Sequence, residues 1–207
     1  MEIQYYGANC LKLTTKTATV IIDDNLAKLG LKSITKDDDI SLQTNLKVPV
    51  EKGRFLIDMP GEYEIAGVSI HGIAARAHMD DDKQKSAVIY TLTTGDARIA
   101  VLGHIFPELS DEQVEQIGRV DVAVVPVGDS GFTMDGIGAL KVIKDIEPKV
   151  VIPVHYADKA IKYEVPQVEL ADGLKGLAME PSETLPKYKP ATAELTDTTK
   201  LIVLERQ

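Results

Sequence analysis

The sequence predicts an α/β protein in which a strand-rich first half leads into a strand, helix, strand unit. Two observations carry this. The amino-terminal half consists of short apolar or alternating runs rich in Val, Ile and Tyr, and from residue 110 the spacing of apolar residues changes to that of helices. A third observation bears on function: the apolar run Val150-Val151-Ile152-Pro153-Val154 has the composition of a buried strand and delivers His155 at its carboxyl end.

In chain order, strands are expected at Ile3 to Tyr6, Leu11 to Thr14, Ala18 to Asp23, Arg54 to Ile57, Tyr63 to Ile73, Ala87 to Thr93 and Arg98 to Leu102. Pro60-Gly61, Ala66-Gly67 and Gly95-Asp96 mark turns, so this half reads as a β-meander. Ser110-Asp111-Glu112-Gln113 is a capping-box sequence, and Val114, Ile117 and Val120 follow it at helical spacing. Val122 to Val127 is a buried strand; Ile137, Leu140, Ile143 and Ile146 form one face of a helix that must end before Pro148. Beyond His155 the sequence predicts a helix over Val168 to Leu177, a connection punctuated by Pro181, Pro186 and Pro190, and a closing strand over Lys200 to Leu204.

Composition narrows the function classes. The chain has 207 residues, 44% of them apolar and 27% charged, and it lacks any long uncharged apolar run or signal-like start, so a single cytoplasmic domain without a membrane partner is expected. A formal charge of −9 with no basic stripe argues against nucleic acid as a partner. One cysteine, Cys10, excludes an intrachain disulfide and any cysteine-rich zinc site, and reads as a small buried hydrophobe. Asp80-Asp81-Asp82 lacks the spaced ligands of a calcium loop and reads as a solvated loop. Gly128-Asp129-Ser130-Gly131 is a turn rather than a nucleophile elbow, and no glycine-rich nucleotide loop is present.

Of the four histidines, His78, His104 and His155 fall at or just past strand ends, where groups from neighbouring strands converge, whereas His71 lies inside a strand. Neutral imidazole is the commonest metal ligand, and three around one ion make a catalytic zinc site with an open position; the bland reading is three polar caps on strand ends.

Four segments resemble a known family: IQYYGANCLKLTTKTATVIIDD, FLIDMPGEYEIAGVSIHGIAA, RIAVLGHIFPELSDEQVEQIGRVDVAVVPVG and FTMDGIGALKVIKDIEPKVVIPVHY. They are similar to the metallo-β-lactamase-fold superfamily, especially the branch of ascorbate-phosphate lactonase and prokaryotic zinc-dependent hydrolases. The resemblance implies a four-layer αββα sandwich, one domain over residues 1–207, and in its enzymes two metal ions at the sandwich edge. The defining His-x-His-x-Asp-His motif is missing: the chain reads DDDISLQTNLKVPVEKG there, placing Asn45, Lys47, Pro49 and Val50 near the ligand positions. An early Gly-His-Ser becomes Gly7-Ala8-Asn9, and the metal-bridging aspartate becomes His104. His78 and His155 match the two remaining histidine positions.

Two readings follow. The first is a degenerate, non-catalytic member of the fold with no metal cofactor, keeping a pocket for a small ligand or partner, with Asn45, Lys47 and Asp129 as pocket candidates. In it Lys47 supplies positive charge where metal stood. The second is a hydrolase of esters, lactones or phosphodiesters with one zinc or manganese ion on His78, His104 and His155, completed by Asp129 or an aspartate of residues 80–82. The expectation favours the first. A homo-oligomer is compatible with either.

Overall fold

The computed structural model describes residues 1–95, 97–190 and 198–207. Strands β1 (Glu2–Gly7), β2 (Cys10–Thr14), β3 (Thr19–Ile22), β4 (Ile40–Leu42) and β5 (Phe55–Ile57) form one sheet in that spatial order. A larger sheet contains β6 (Gly61–Ile65), β7 (Val68–Ala75), β8 (Ala87–Thr94), β9 (Ala97–Val101), β10 (Val122–Pro126), β11 (Val150–Val154), β12 (Pro181–Leu185) and β13 (Lys200–Leu204). Its order is β12-β13-β11-β10-β9-β8-β7-β6.

The two sheets stack through a shared apolar layer. In β1 every second residue is buried, so Ile3 and Tyr5 face across to Tyr90 of β8, Val124 of β10 and Ile152 of β11. The uninterrupted apolar runs of β10 and β11 have a direct explanation, because both faces are covered. Val122, Val124, Val150 and Ile152 face the small sheet, while Ala123, Val125 and Val151 pack under the helices.

Those helices are α1 (Asp111–Ile117), α2 (Gly136–Ile146) and α3 (Leu170–Leu177). The α1 capping box forms as its sequence predicts: the Ser110 hydroxyl accepts from the Gln113 N–H, and the Gln113 side chain accepts from the Ser110 N–H. On α2, Asp135 caps the start, and Glu147, left-handed at φ 44°, ends the helix just before Pro148. The outer face of the small sheet is covered more thinly, by a 3-10 turn at Leu26–Leu29 whose Leu26 packs on Cys10 and Ile21, with Tyr6, Leu31 and Ile34 alongside. The result is the expected αββα layering with one α layer contracted.

Three expectations are corrected. The first half is not one meander: it divides between the sheets, and β3, β4 and β5 run parallel. The run Tyr63 to Ile73 is a hairpin, β6 and β7, turned at Ala66 and Gly67 with φ of 50° and 75°, a left-handed pair that suits a tight two-residue hairpin turn. The proline-punctuated connection contains β12, an exposed strand pairing with β13. Of the turn expected at Gly95-Asp96, Asp96 lies outside the described residues.

The direction of the strands positions the site. β9, β10 and β11 are mutually parallel, so their carboxyl ends open on one edge of the sandwich. Leu102-Gly103-His104 leaves β9 there, and His155 directly follows β11. Among the described residues, no helix is long and apolar enough to cross a membrane.

Ile152 is fully buried between the sheets. Ile152→Ala is expected to lower the unfolding free energy by about 2–5 kcal/mol in urea titration. A loss below about 1 kcal/mol would contradict tight inter-sheet packing at this position.

Candidate active site

The site is built on two imidazoles. His155 leaves β11 with a left-handed backbone, φ 57°, and its N–H donates to the Ala8 carbonyl at 2.9 Å. That bond ties the end of β11 to the turn between β1 and β2. His104 follows Gly103, φ 57°, at which a Cβ would overlap the Thr44 hydroxyl. Thr44 is itself fixed by the buried Asp23, whose carboxylate accepts from the Thr44 N–H at 2.8 Å and from its hydroxyl. Burial pushes the Asp23 carboxyl up to about 6, and the two Thr44 bonds act in the opposite direction.

The His104 and His155 rings stand edge to face, with centroids 5.0 Å apart and planes at 80°. Both are buried, and both line a cleft of about 200 Å³ together with Phe132, Tyr163, Gln167 and Lys47. Phe132 meets His104 edge-on at 6.1 Å, and Tyr163 lies 5.2 Å from His155. Burial, then the proximity of His155 and His78, brings the His104 pKa down to about 3. Burial brings His155 down to about 4, against a raising effect of its bond to Gln167. Both rings are therefore neutral at neutral pH and carry one lone pair and one N–H each.

A carboxamide sits on each ring. Asn9, buried in the β1–β2 turn, places Nδ2 3.0 Å from His104 Nδ1. Gln167 places Oε1 3.1 Å from His155 Nδ1, while its own Nε2 donates to the Val165 carbonyl at 3.0 Å. Gly128 at the end of β10 makes this approach possible, because a Cβ there would overlap Gln167 Oε1 and the His155 carbonyl.

The sequence expectations divide. His104 and His155 come together; His78 joins them only through its main chain, its N–H donating to the His104 carbonyl at 2.8 Å. The His78 ring lies 5.9 Å from Phe106 and does not line the cleft, and its Nδ1 is buried without a partner. Burial lowers the His78 pKa, against raising effects of Asp129 and Asp135. Among the described residues, no three His, Cys, Asp or Glu side chains converge on one ligation point.

Lys47 does line the cleft, but its ammonium is not a free charge: it lies 2.6 Å from Asp80. Asp80 also accepts from the N–H groups of Ala77 and Ser86 and from the Ser86 hydroxyl, so this residue of the acidic run is buried rather than solvated. Asn45 accepts from the Lys47 N–H and is outside the cleft lining, and Asp129 is an exposed turn residue at φ 62°. Asn9 and Gln167 are the site residues that sequence reasoning missed. Asn9 stood out only as a departure from a family pattern, and nothing in the local sequence singles out Gln167.

Comparison with known proteins agrees with this architecture. Residues 2–155 match the model of the beta-lactamase superfamily domain. The chain is 35% identical over 78 residues to a UPF0173 metal-dependent hydrolase of Nanoarchaeum equitans and 33% identical over 76 residues to one of Aeropyrum pernix. These alignments cover 36% and 37% of this chain and only 36% and 31% of the relatives' lengths. A solved structure from Thermotoga maritima, classed as a Zn-dependent hydrolase of the metallo-beta-lactamase superfamily, covers 99% of both chains at 26% identity, with a TM-score of 0.77. Igni18, a metallo hydrolase from Ignicoccus hospitalis, shares the fold at 17% identity and a TM-score of 0.62, covering 99% of this chain and 94% of its own. With the family match spanning most of its length and the paired-sheet architecture in agreement, the chain belongs to the metallo-β-lactamase superfamily.

Proposed function

We propose that this protein is a metal-dependent hydrolase of an ester, lactone or phosphodiester, working with one ion at the His104–His155 cleft. The observation that carries the reading is the pair of buried, neutral imidazoles at the carboxyl ends of parallel strands, lining a cleft of about 200 Å³. The expectation of a non-catalytic member with no metal cofactor is corrected by the relatives, which are named metal-dependent hydrolases, and by the full-length structural match to a protein classed as zinc-dependent.

His104 and His155 line the cleft and could each turn one neutral nitrogen to an ion, whereas the His78 ring lies outside it against Phe106, and among the described residues no third His, Cys, Asp or Glu side chain converges on them. Two such nitrogens are fewer than the three or four protein ligands of an ordinary zinc site, so the remaining positions of a single ion would fall to water or substrate oxygens. They do not suit two ions: at the positions of the missing motif, Asn45 accepts from the Lys47 N–H, Lys47 pairs with Asp80, and Pro49 and Val50 offer no ligand group. His155 is the clearest holder, since Gln167 occupies its Nδ1 and leaves Nε2. An ion bound there would polarise the substrate oxygen and lower the pKa of a water. The protein's own contribution is to orient the rings, to keep them uncharged, and to shield one side of the cleft with Phe132 and Tyr163.

Protein purified without a metal-affinity tag and dialysed against zinc is expected to hold about one ion per chain by mass spectrometry. His155→Ala should lose the ion and at least about 100-fold of any activity on nitrophenyl esters, lactones or phosphodiesters. Hydrolysis indifferent to both chelator and His155→Ala would overturn the reading.

The neutral rings also fix a pH dependence in the metal-free protein. A histidine whose folded pKa lies below its unfolded value of 6.5 contributes stability that is complete above that value and is lost as pH falls toward the folded pKa, here about 4 and about 3. Each ring adds a slope of up to about 1.4 kcal/mol per pH unit in that window. Asp23, raised to about 6, works in the opposite sense, contributing below 3.8 and losing that contribution as pH rises through about 6. Two rings outweigh one carboxyl, so urea midpoints should rise from about pH 4.5 to about pH 6.5. His155→Gln should reduce that slope; a flat wild-type profile would contradict the burial of neutral rings.

A further inference from the structure

Two open sheets end in four edge strands, and each edge offers unpaired main-chain groups to another chain unless something prevents it. Here the edges are β1 and β5 of the small sheet and β12 and β6 of the large one. The β1 edge is covered: Ile3 exchanges N–H and carbonyl bonds with Tyr188 at 2.8 and 2.9 Å, and the Gln207 N–H donates to the Tyr5 carbonyl at 3.0 Å. β12 begins at a proline, and an antiparallel copy centred on the strand would set Glu183 against Glu183. In the same arrangement β6, with the sequence GEYEI, would set Glu62 against Glu64. Like charges thus penalise self-pairing at both edges of the large sheet. The β5 edge has no such guard.

The strand is short, Phe55–Ile57, with Arg54 before it and Asp58 after it. Its β4 side is used: the Ile57 carbonyl accepts from the Gln43 N–H at 3.1 Å. In a parallel ladder the main-chain groups of successive residues turn to opposite sides, so those of Leu56 face away from β4, where among the described residues no strand pairs with it. Apolar side chains lie open beside them. Phe55 is 44% exposed and Met59 57%, although Ile57, on the same face as Phe55, is buried in the core between the sheets. The charges that flank the strand are opposite in sign and equally spaced from Leu56. Turned antiparallel on a two-fold axis through Leu56, two copies bring Arg54 of each opposite Asp58 of the other and Phe55 opposite Ile57, while the two Leu56 residues exchange N–H and carbonyl. Within one chain, among the described residues, neither Arg54 nor Asp58 has an ion-pair partner; Arg54 instead lies over its own Phe55, its guanidinium carbon 5.6 Å from the ring centroid. The Arg54 N–H is held by the Asp39 carbonyl at 2.8 Å, so its part in the pairing is played by the side chain.

We propose that a second copy of this chain docks on β5, antiparallel about a two-fold axis through Leu56, and makes the small sheet continuous across a homodimer. Two Arg54–Asp58 pairs close the ends of the contact and set its register. Strand exchange over so few residues, with Phe55 and Met59 alongside, makes a small interface, so the dimer is weak and forms in the micromolar range. Neither Arg54 nor Asp58 lines the histidine cleft, so this interface and the hydrolase reading stand or fall separately.

Sedimentation equilibrium of the full chain, combined with hydrogen exchange at the Leu56 amide, tests this. The wild type is expected to pass from monomer to dimer as concentration rises, with the Leu56 amide gaining protection in step. Arg54→Asp sets like charges opposite each other and should weaken the dimer at least about tenfold, and Asp58→Arg should do the same. The double swap, Arg54→Asp with Asp58→Arg, rebuilds the pairs in reverse and should restore it. Both side chains are at least partly exposed, and far-UV circular dichroism confirms folding before association is read. The wild-type dependence of Leu56 protection on concentration decides the matter even if a variant fails to fold. A chain that stays monomeric up to about 1 mM would overturn the proposal. So would a dimer that is indifferent to Arg54→Asp, or one lost in both single variants and not recovered in the double swap.

Discussion

Two imidazoles buried with centroids 5.0 Å apart disfavour each other's charge, and burial itself lowers both pKa values, so that both rings are neutral at neutral pH. Much of the local structure follows from that constraint. A neutral ring has one donor and one acceptor, and each must be assigned a direction. The side chains that meet these rings are neutral: the carboxamides of Asn9 and Gln167 rather than carboxylates. The glycines at the strand ends have the same origin. Gly103 lets the chain pass Thr44 on its way to His104, and Gly128 leaves room for Gln167 beside His155. The bond from His155 N–H to Ala8 then joins the small sheet to the large one at the point where the rings meet.

The segment that lacks the family's ligand motif is not a gap in the structure. Its loop is fastened to residues 77–86 by Lys47 and Asp80. Burial of Asp80 opposes ionisation, but the bonds from Lys47, Ser86 and Ala77 together hold its carboxyl well below the usual range. Lys47 is half exposed, so its share is screened by solvent, and the backbone donors to a fully covered carboxylate matter more. The pairing also removes the fixed positive charge that the sequence suggested for the cleft. The Lys47–Asp80 pair is thus a cross-tie that fastens this loop at the sandwich edge.

Much of the fold was readable from residues because burial on two faces leaves a plain mark. The runs in β10 and β11 are apolar throughout since one face meets the small sheet and the other the helices. Ser110 and Gln113 announced α1 through side-chain chemistry confined to four residues. By contrast, β12 is exposed along most of its length and begins at a proline, so neither alternation nor an apolar run marks it; only its main-chain pairing with β13 makes it a strand. β4 is three residues long, too short for periodicity to register. His104 and His155 were readable because each closes an apolar run on parallel strands. Asn9 and Gln167 were not, since a carboxamide in irregular chain acquires its role only when distant segments bring it to a ring.

An imidazole at His104, where the family resemblance places an aspartate, would change more than the number of ligands. A carboxylate at the cleft would neutralise part of the charge of a bound divalent ion and compete with substrate oxygens for it. An imidazole there does neither, and no Asp or Glu joins His104 and His155 in a shared ligation cluster among the described residues. Neutral nitrogen donors hold a cation less strongly by charge alone, but they leave its full positive field to act on a substrate carbonyl or phosphoryl group. The same neutrality is what allows the two rings to be buried side by side at all. An ion in this cleft would thus meet neutral donors rather than accumulated negative charge.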